Sequence, residues 1–260
     1  MKKRKLIIFI KSPLEGQVKT RLAAELGKEF AVEAYLAMAA DLIRNLAALQ
    51  QEMQFCINDL RGASVLFERV SSLLGLEHRV LHSLSTPGGP PLDFVQAGDV
   101  RIPIKQQNGA DLGLKMKNAF EDAFADGTEA AILIGSDIPQ LSSALIEDYF
   151  GRLDESPMVL GPADDGGYFL IGFKRNFFAP QVLEQIEWST DRVLYQTTAR
   201  AKSAGLSFSA GTSLYDIDTL DDLLRLAADR KVVERVPFVL DVVNHKRSTD
   251  AQVFGNHSDS

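Results

Sequence analysis

Cysteine occurs once in the 260 residues, at Cys56. A lone cysteine closes no internal disulfide, so a disulfide-stapled scaffold is excluded and a reducing compartment fits. It sits in the apolar string Met53-Gln-Phe-Cys-Ile57, where a thiol acts as a small buried hydrophobe rather than a nucleophile. Histidine is scarce too, at His78, His82, His245 and His257. His78 and His82 are four apart but lie in a segment read as strand, so no histidine metal pair is expected. No apolar run approaches the roughly 18 residues that a membrane span needs. The basic start Met1-Lys-Lys-Arg-Lys5 followed by apolar residues 6–10 mimics a signal peptide, but the apolar stretch is too short and Lys11 and Pro13 end it. Cytoplasm is the default location. A basic excess is also missing: 28 Lys and Arg stand against 35 Asp and Glu, a net charge of −7. That argues against a nucleic-acid partner, although a local basic patch can still hold the phosphates of a small molecule.

Three signature strings are absent. There is no GxxxxGK[ST] phosphate loop, since the single Gly16 precedes Lys19-Thr20 too closely, and no GxGxxG dinucleotide string. There is no GxSxG, and neither Ser12 nor Ser136 has a histidine nearby to activate it, so a hydrolase triad is not supported.

What is present is an ordinary globular composition, 45% hydrophobic and 24% charged. Apolar β-branched runs alternate with segments of helical period. Residues 6–10, 53–57, 130–135, 158–161 and 168–173 read as strands, and residues 21–26, 29–49, 65–74, 111–124, 142–153, 190–204 and 220–229 as helices. Strands alternating with helices argue an α/β sandwich with a mostly parallel sheet. Residues 84–107, which carry Thr86-Pro-Gly-Gly-Pro-Pro91, read as one long irregular insertion. Residues 1–243 are expected to form one domain, and the polar tail 244–260 to be disordered.

In open α/β sheets ligands bind beyond the carboxyl ends of the strands. After the first strand come Lys11, Lys19 and Arg21 around Gly16, a set that can hold phosphate or can be a solvated basic loop. After Ile134 comes Gly135-Ser136-Asp137, which offers a hard oxygen ligand for Mg²⁺ or Mn²⁺, or else a capped turn. After Leu160 comes Asp164-Asp165-Gly166-Gly167-Tyr168, a hairpin turn, a metal ligand or a general base. Asp216-Ile217-Asp218 places two carboxylates on one face of an extended segment, with Asp218-Thr219 as a possible cap of the next helix. Gln107, Gly109, Asp111 and Gly113 precede a helix and permit close ligand approach, with Asp111 able to cap it. Trp188 suits the core better than a ring-stacking role.

These strings, in this order, resemble a bacterial family once catalogued as a domain of unknown function and now often named glycosyltransferase. The strings are Lys11-Ser-Pro-Leu-Glu-Gly-Gln-Val-Lys-Thr-Arg-Leu22, Gln107-x-Gly109-Ala-Asp-Leu-Gly113, Gly135-Ser-Asp-Ile-Pro139, Leu160-Gly-Pro-Ala-Asp-Asp-Gly-Gly-Tyr168, Trp188-Ser-Thr190 and Asp216-Ile-Asp-Thr-x-x-Asp222. That family belongs to the nucleotide-diphospho-sugar transferase superfamily, some members being associated with arsenosugar biosynthesis. The resemblance spans about residues 5–230. It implies the glycosyltransferase-A fold, a Rossmann-like three-layer α/β sandwich with a mostly parallel mixed sheet. It implies phosphate binding by Lys11, Lys19 and Arg21, and nucleotide contacts from Gln107, Gly109, Asp111 and Gly113. It implies Mg²⁺ or Mn²⁺ on Asp137 and Asp218. Asp164 or Asp165 would be the catalytic base, and Gly166, Gly167, Tyr168 and Trp188 would lie on the acceptor side. Many glycosyltransferases of this fold carry Asp-x-Asp at the metal; here the string Ser136-Asp137-Ile138-Pro139 has one carboxylate.

Three functions follow. The first is glycosyl transfer from a nucleotide-sugar to a small-molecule acceptor. The second is nucleotidyl transfer from a nucleoside triphosphate with release of pyrophosphate, which the basic early loop favours because a triphosphate carries more charge to neutralise; that loop also resembles the one in 2-phospholactate guanylyltransferases, which share Lys-[TS]-Arg-Leu. The third is nucleotide binding without turnover.

Overall fold

The computed structural model describes residues 3–14, 16–74, 94–97, 100–229, 233–234, 236 and 238–239. The polar tail, His78, His82, His245, His257 and the whole of the Pro-Gly string lie outside the described residues.

The elements run in the order β1 (Arg4–Ile10), α1 (Thr20–Leu26), α2 (Lys28–Leu46), β2 (Glu52–Ile57), α3 (Ala63–Leu73), β3 (Phe94–Ala97), β4 (Val100–Gln106), α4 (Leu112–Ala125), β5 (Ala130–Gly135), α5 (Ser143–Glu155), β6 (Met158–Pro162), β7 (Tyr168–Lys174), α6 (Val193–Ser203), β8 (Phe208–Ala210) and α7 (Leu220–Ala228), with three short 3₁₀ turns between them. All eight strands form one sheet in the order β3-β4-β2-β1-β5-β7-β6-β8. Strand β1 pairs in parallel with β2 and β5, β2 with β4, and β6 with β8. Strand β7 runs antiparallel between β5 and β6, and β3 antiparallel to β4. This is the expected mostly parallel mixed α/β sheet.

The central strands are apolar without a break because both sheet faces are covered. Side chains of β1 alternate between them. Leu6, Ile8 and Ile10 join Leu36 of α2, Phe67 of α3 and Phe150 of α5 on one face. Ile7 and Phe9 join Met116 and Phe120 of α4 and Ala201 of α6 on the other. A third cluster ties α1 to α7 through Leu22, Ile217, Leu220 and Leu223. No helix among the described residues is long and apolar enough to cross a membrane.

The segment 84–107 departs from the sequence reading. Its described part is a β3–β4 hairpin. Val100-Arg-Ile-Pro-Ile-Lys-Gln106 alternates with period two, which buries Ile102 and Ile104. Pro103 obscures that pattern, yet β2 pairs only with residues 104–106, so Pro103 lies beyond that ladder and is exposed. The short strand β8 carries no alternation long enough to read.

Phe173 of β7 is fully buried and meets the Phe120 and Phe178 rings edge-on at 5.1 and 5.2 Å. Phe173→Ala is expected to lower unfolding stability by about 3–5 kcal/mol. Tyr195→Ala, at a side chain 71% exposed, is expected to stay within about 0.5 kcal/mol. Urea unfolding of the two variants checks both values.

Candidate active site

The parallel strands end on one edge, and the chain leaving each of them meets a single cavity of about 510 Å³. Lys11 follows β1, Asn58 follows β2, Gln107 follows β4, Asp137 follows β5 and Asp165 follows β6. Beneath them the buried Tyr35 phenol of α2 donates to the Lys11 carbonyl at 2.9 Å and accepts from the Lys11 amide at 2.8 Å. It also lies 3.5 Å from Ser136 Oγ, so one side chain braces the exits of β1 and β5.

Asp216 and Asp218 arrive from the far edge of the sheet. After β8 the chain continues parallel to the exit of β6, with Leu214 N–H donating to the Pro162 carbonyl and Asp164 N–H to the Leu214 carbonyl. The Ile217 amide then donates to the Asp137 carbonyl at 3.2 Å. Ile217 is buried, and both flanking carboxylates face the cavity with Asp137. The period-two spacing thus sets Asp216 and Asp218 on one face, as extended geometry requires.

Lys19 binds this cluster together. Its Nζ lies 2.9 Å from Asp137 Oδ1 and 3.2 Å from Asp218 Oδ1, and its side chain is 2% exposed. Burial alone would lower the Lys19 ammonium; Asp137 and Asp218 outweigh that and hold it above its ordinary value. Burial likewise works to raise the Asp137 carboxyl, but Lys19, and then Lys11, hold it below the usual carboxylate range. Among the described residues Asp216 makes no ion pair, and Lys19 opposes its rise only from a distance. Burial, followed by the neighbouring Asp137 carboxylate, pushes its carboxyl up to about 7.

The three cations expected to converge on phosphate do not meet. Lys11 lines the cavity, Lys19 lies behind the carboxylates, and Arg21 is exposed on α1 outside the cavity. Lysine and arginine announce charge in a sequence but not the direction of their long stems. Asp164 and Asp165 also part ways. Asp164 accepts from Ser213 Oγ at 2.6 Å and from Arg225 at 3.0 Å, bonds that hold its carboxyl below the ordinary range, and it stands outside the cavity wall. Asp165 lines the cavity and accepts from Gly167 N–H at 2.9 Å through Oδ1. Gly166 has φ +86°, and a Cβ there would run into the Asp191 carbonyl, so glycine lets the turn of residues 189–192 close on the hairpin.

Gln107 lines the cavity while its amide donates to the Cys56 carbonyl at 2.9 Å. Asp111 caps α4 by accepting from Leu114 N–H at 2.8 Å, and neither Asp111 nor Gly109 reaches the cavity. Gly113 is a packing position, where a Cβ would clash with the Leu183 carbonyl and crowd the Trp188 ring. That contact seats Trp188, which is partly buried rather than enclosed in the core. It meets Tyr168 edge-on at 6.5 Å, and the two rings line the cavity wall. Asn58 was missed in the sequence, although the strand-end rule applied to β2 points straight at it. Cys56 is buried and its thiol is pushed up to about 11 by that burial, which leaves it no nucleophilic role.

Asp137, Asp216 and Asp218 are an all-oxygen donor set of the kind Mg²⁺ and Mn²⁺ prefer. Among the described residues no group of three or more His, Cys, Asp or Glu side chains forms a metal cage by itself. The set therefore fits a cation carried on one or two carboxylates and completed by substrate phosphate and water, the usual arrangement for Mg²⁺ at a phosphate site.

Residues 78–190 match the family described as "Uncharacterized protein conserved in bacteria (DUF2064)", the bacterial family once catalogued as a domain of unknown function. Four of the six motif strings fall inside that span; the Lys11–Leu22 and Asp216–Asp222 strings fall outside it. No curated protein matches the chain. A crystal structure from Desulfovibrio desulfuricans, described as a "putative nucleotide-diphospho-sugar transferase", is 27% identical, covers 97% of this chain and 98% of its own, and superposes with a TM-score of 0.76. A Mycobacterium homologue of a Mycobacterium tuberculosis protein is 12% identical over 89% of this chain and 97% of its own, with a TM-score of 0.50. The 4-diphosphocytidyl-2C-methyl-D-erythritol synthase of Anaerococcus prevotii is 13% identical over 87% of this chain and 97% of its own, with a TM-score of 0.49. The fold is the α/β fold of the nucleotide-diphospho-sugar transferase neighbour.

Asp216 generates a pH-dependent prediction. Its folded-state pKa lies above the unfolded value, so the folded chain holds the extra proton and stability falls as pH rises from about 4 to 7. Asp216→Asn removes that cost. It is expected to stabilise the protein by on the order of 1–2 kcal/mol at pH 8, after allowance for partial solvent access, and by progressively less as pH falls toward 4. Thermal unfolding of both proteins across that range checks the sign.

Proposed function

We propose that the protein is a glycosyltransferase-type enzyme that uses a nucleotide-sugar donor and Mg²⁺ or Mn²⁺ to glycosylate a small-molecule acceptor. The observation that carries this reading is the charge on the cavity wall. Asp137, Asp216 and Asp218 gather at one place, while among the described residues the cavity's cations are Lys11 and Lys115 alone. A nucleoside triphosphate favours a strongly basic loop, and this loop keeps only Lys11 for the cavity because Lys19 is engaged by two carboxylates. A diphosphate whose charge is met by a divalent cation suits the wall better.

On this reading Lys11, Asn58 and Gln107 hold the nucleotide side of the donor at the ends of β1, β2 and β4. Asp137 and Asp218 would hold the cation together with donor phosphate oxygens. When bound, the cation supplies charge stabilisation to the departing nucleoside diphosphate. Asp165 faces the cavity, and among the described residues its hydrogen bond is taken by Oδ1, so in an inverting reaction the carboxylate accepts the acceptor hydroxyl proton. The acceptor oxygen then forms its bond to the anomeric carbon as the bond from that carbon to the diphosphate oxygen breaks. Tyr168 and Trp188 give the acceptor an apolar wall on which a sugar or other ring can stack.

Thermal unfolding against nucleotide-sugars, nucleoside diphosphates and nucleoside triphosphates, with and without Mg²⁺ or Mn²⁺, tests the reading. A ligand at about 100 times its Kd adds roughly 2.7 kcal/mol, a rise of several degrees in Tm. A metal-dependent rise with one nucleotide-sugar or its diphosphate is expected, and Asp137→Asn is expected to abolish both the rise and transfer. A rise confined to triphosphates would move the assignment to nucleotidyl transfer, and no rise with any of them would leave nucleotide binding without support. Trp188→Ala is expected to raise the acceptor KM about tenfold with a smaller change in donor KM, read by steady-state kinetics with each substrate varied in turn.

A further inference from the structure

We infer that Lys19 is a positioning residue that clamps Asp137 and Asp218 from the protein side and so sets the spacing at which the pair meets a cation. The inference rests on the metal-dependent reading of the site. Three independent features carry it. The first is direction. Asp137, Asp216 and Asp218 line the cavity but Lys19 does not, and the side chains of Asp137 and Asp218 are 26% and 45% exposed against 2% for Lys19. The ammonium therefore lies on the protein side of the carboxylates.

The second feature is how the oxygens are shared. Lys19 Nζ lies 2.9 Å from Oδ1 of Asp137 and 3.2 Å from Oδ1 of Asp218, so a single ammonium is shared between the two carboxylates. One ammonium thus spans two carboxylates that are 81 positions apart in the chain and would otherwise repel each other. The third is the backbone. Lys19 holds φ 47° and ψ 49°, the left-handed region that a non-glycine residue seldom adopts, immediately before α1. Packing holds it there, with Leu22 of α1 in one cluster with Ile217 and Leu220, the residues on either side of Asp218-Thr219. The fold therefore sustains a locally unfavourable conformation that delivers an ammonium to the carboxylate pair.

Charge and position predict opposite outcomes for removal of this lysine. If Lys19 only lowered the negative charge, Lys19→Met would tighten Mn²⁺ binding, because the three carboxylates would then act without its ammonium. If Lys19 positions the pair, the same substitution loosens Mn²⁺ binding even though the site becomes more negative, as loss of a partner behind a metal ligand does, typically by 10–100-fold. The experiment is Mn²⁺ titration followed by electron paramagnetic resonance, with Mn²⁺ alone and with inorganic pyrophosphate, on the full chain. At least tenfold weaker binding by Lys19→Met is expected, with partial recovery in Lys19→Gln, whose amide still donates a hydrogen bond. Circular dichroism verifies that each variant is folded. If Lys19→Met does not fold, Lys19→Gln is judged against the wild type by the same sign. Equal or tighter Mn²⁺ binding by the folded variant overturns the clamp and leaves the transferase reading standing. No Mn²⁺ binding by the wild type under either condition overturns both.

Discussion

Like charges crowded on one wall are the constraint around which this molecule is arranged. Asp137, Asp165, Asp216 and Asp218 line the same cavity. Two unit charges about 4 Å apart repel by roughly 4 kcal/mol at the effective dielectric near a protein surface, so such a wall needs internal compensation. Lys19 supplies it to Asp137 and Asp218, and the protonation of Asp216, pushed up to about 7, supplies more. The surrounding structure follows from keeping these groups together. Parallel pairing of β1 with β5 sets the Lys19 loop beside Asp137, the Ile217 amide fastens the returning segment to the Asp137 carbonyl, and the α1–α7 contact joins the helices that follow Lys19 and Asp218.

The sheet and its ligand edge were legible because buried parallel strands write themselves as unbroken apolar runs, and chain polarity then says which end faces ligand. Residues 6–10 and 130–135 announced their strands this way, and Lys11, Asp137 and Asp165 fell where the strand ends placed them. What the sequence withheld is direction. Lys19 and Arg21 are two residues apart, yet one is buried against carboxylates 118 and 199 positions away and the other is exposed. Asp164 and Asp165 are adjacent in one turn, yet Arg225 and Ser213 draw the first outward. No local pattern reports such long-range partners. The β3–β4 hairpin was hidden for a different reason. A proline is compatible with a strand where the neighbour does not need its N–H, and that depends on register, which the sequence does not display.

Glycine spacing was legible as chemistry but not as purpose. Gly113 and Gly166 both permit close approach, and in both cases what approaches is the protein itself: the Leu183 carbonyl and Trp188 ring at one, the Asp191 carbonyl at the other. Their effect on the site is indirect. Gly113 seats Trp188 and Gly166 seats the turn of residues 189–192, so together they shape the aromatic side of the cavity from outside it.

The cavity's electrostatics constrain the order of events in the proposed reaction. Two lysines face four aspartates on its wall, and Lys19 offsets part of that imbalance from behind. A nucleotide diphosphate entering alone would bring anionic oxygens toward a wall that is already negative. With a divalent cation on those oxygens the approaching species is close to neutral and the carboxylates become ligands rather than repellents. Donor and cation then bind together better than either binds singly, and each raises the other's affinity by the same factor. The aromatic half behaves differently. Tyr168 and Trp188 carry no charge at neutral pH, so an acceptor ring can settle against them with little electrostatic regard for what the acidic half holds. In the proposed reaction the division of the wall into an acidic end at β5 and an aromatic end at β7 would separate the binding of a charged donor from the binding of an acceptor, with Asp165 at the turn between β6 and β7 placed between them.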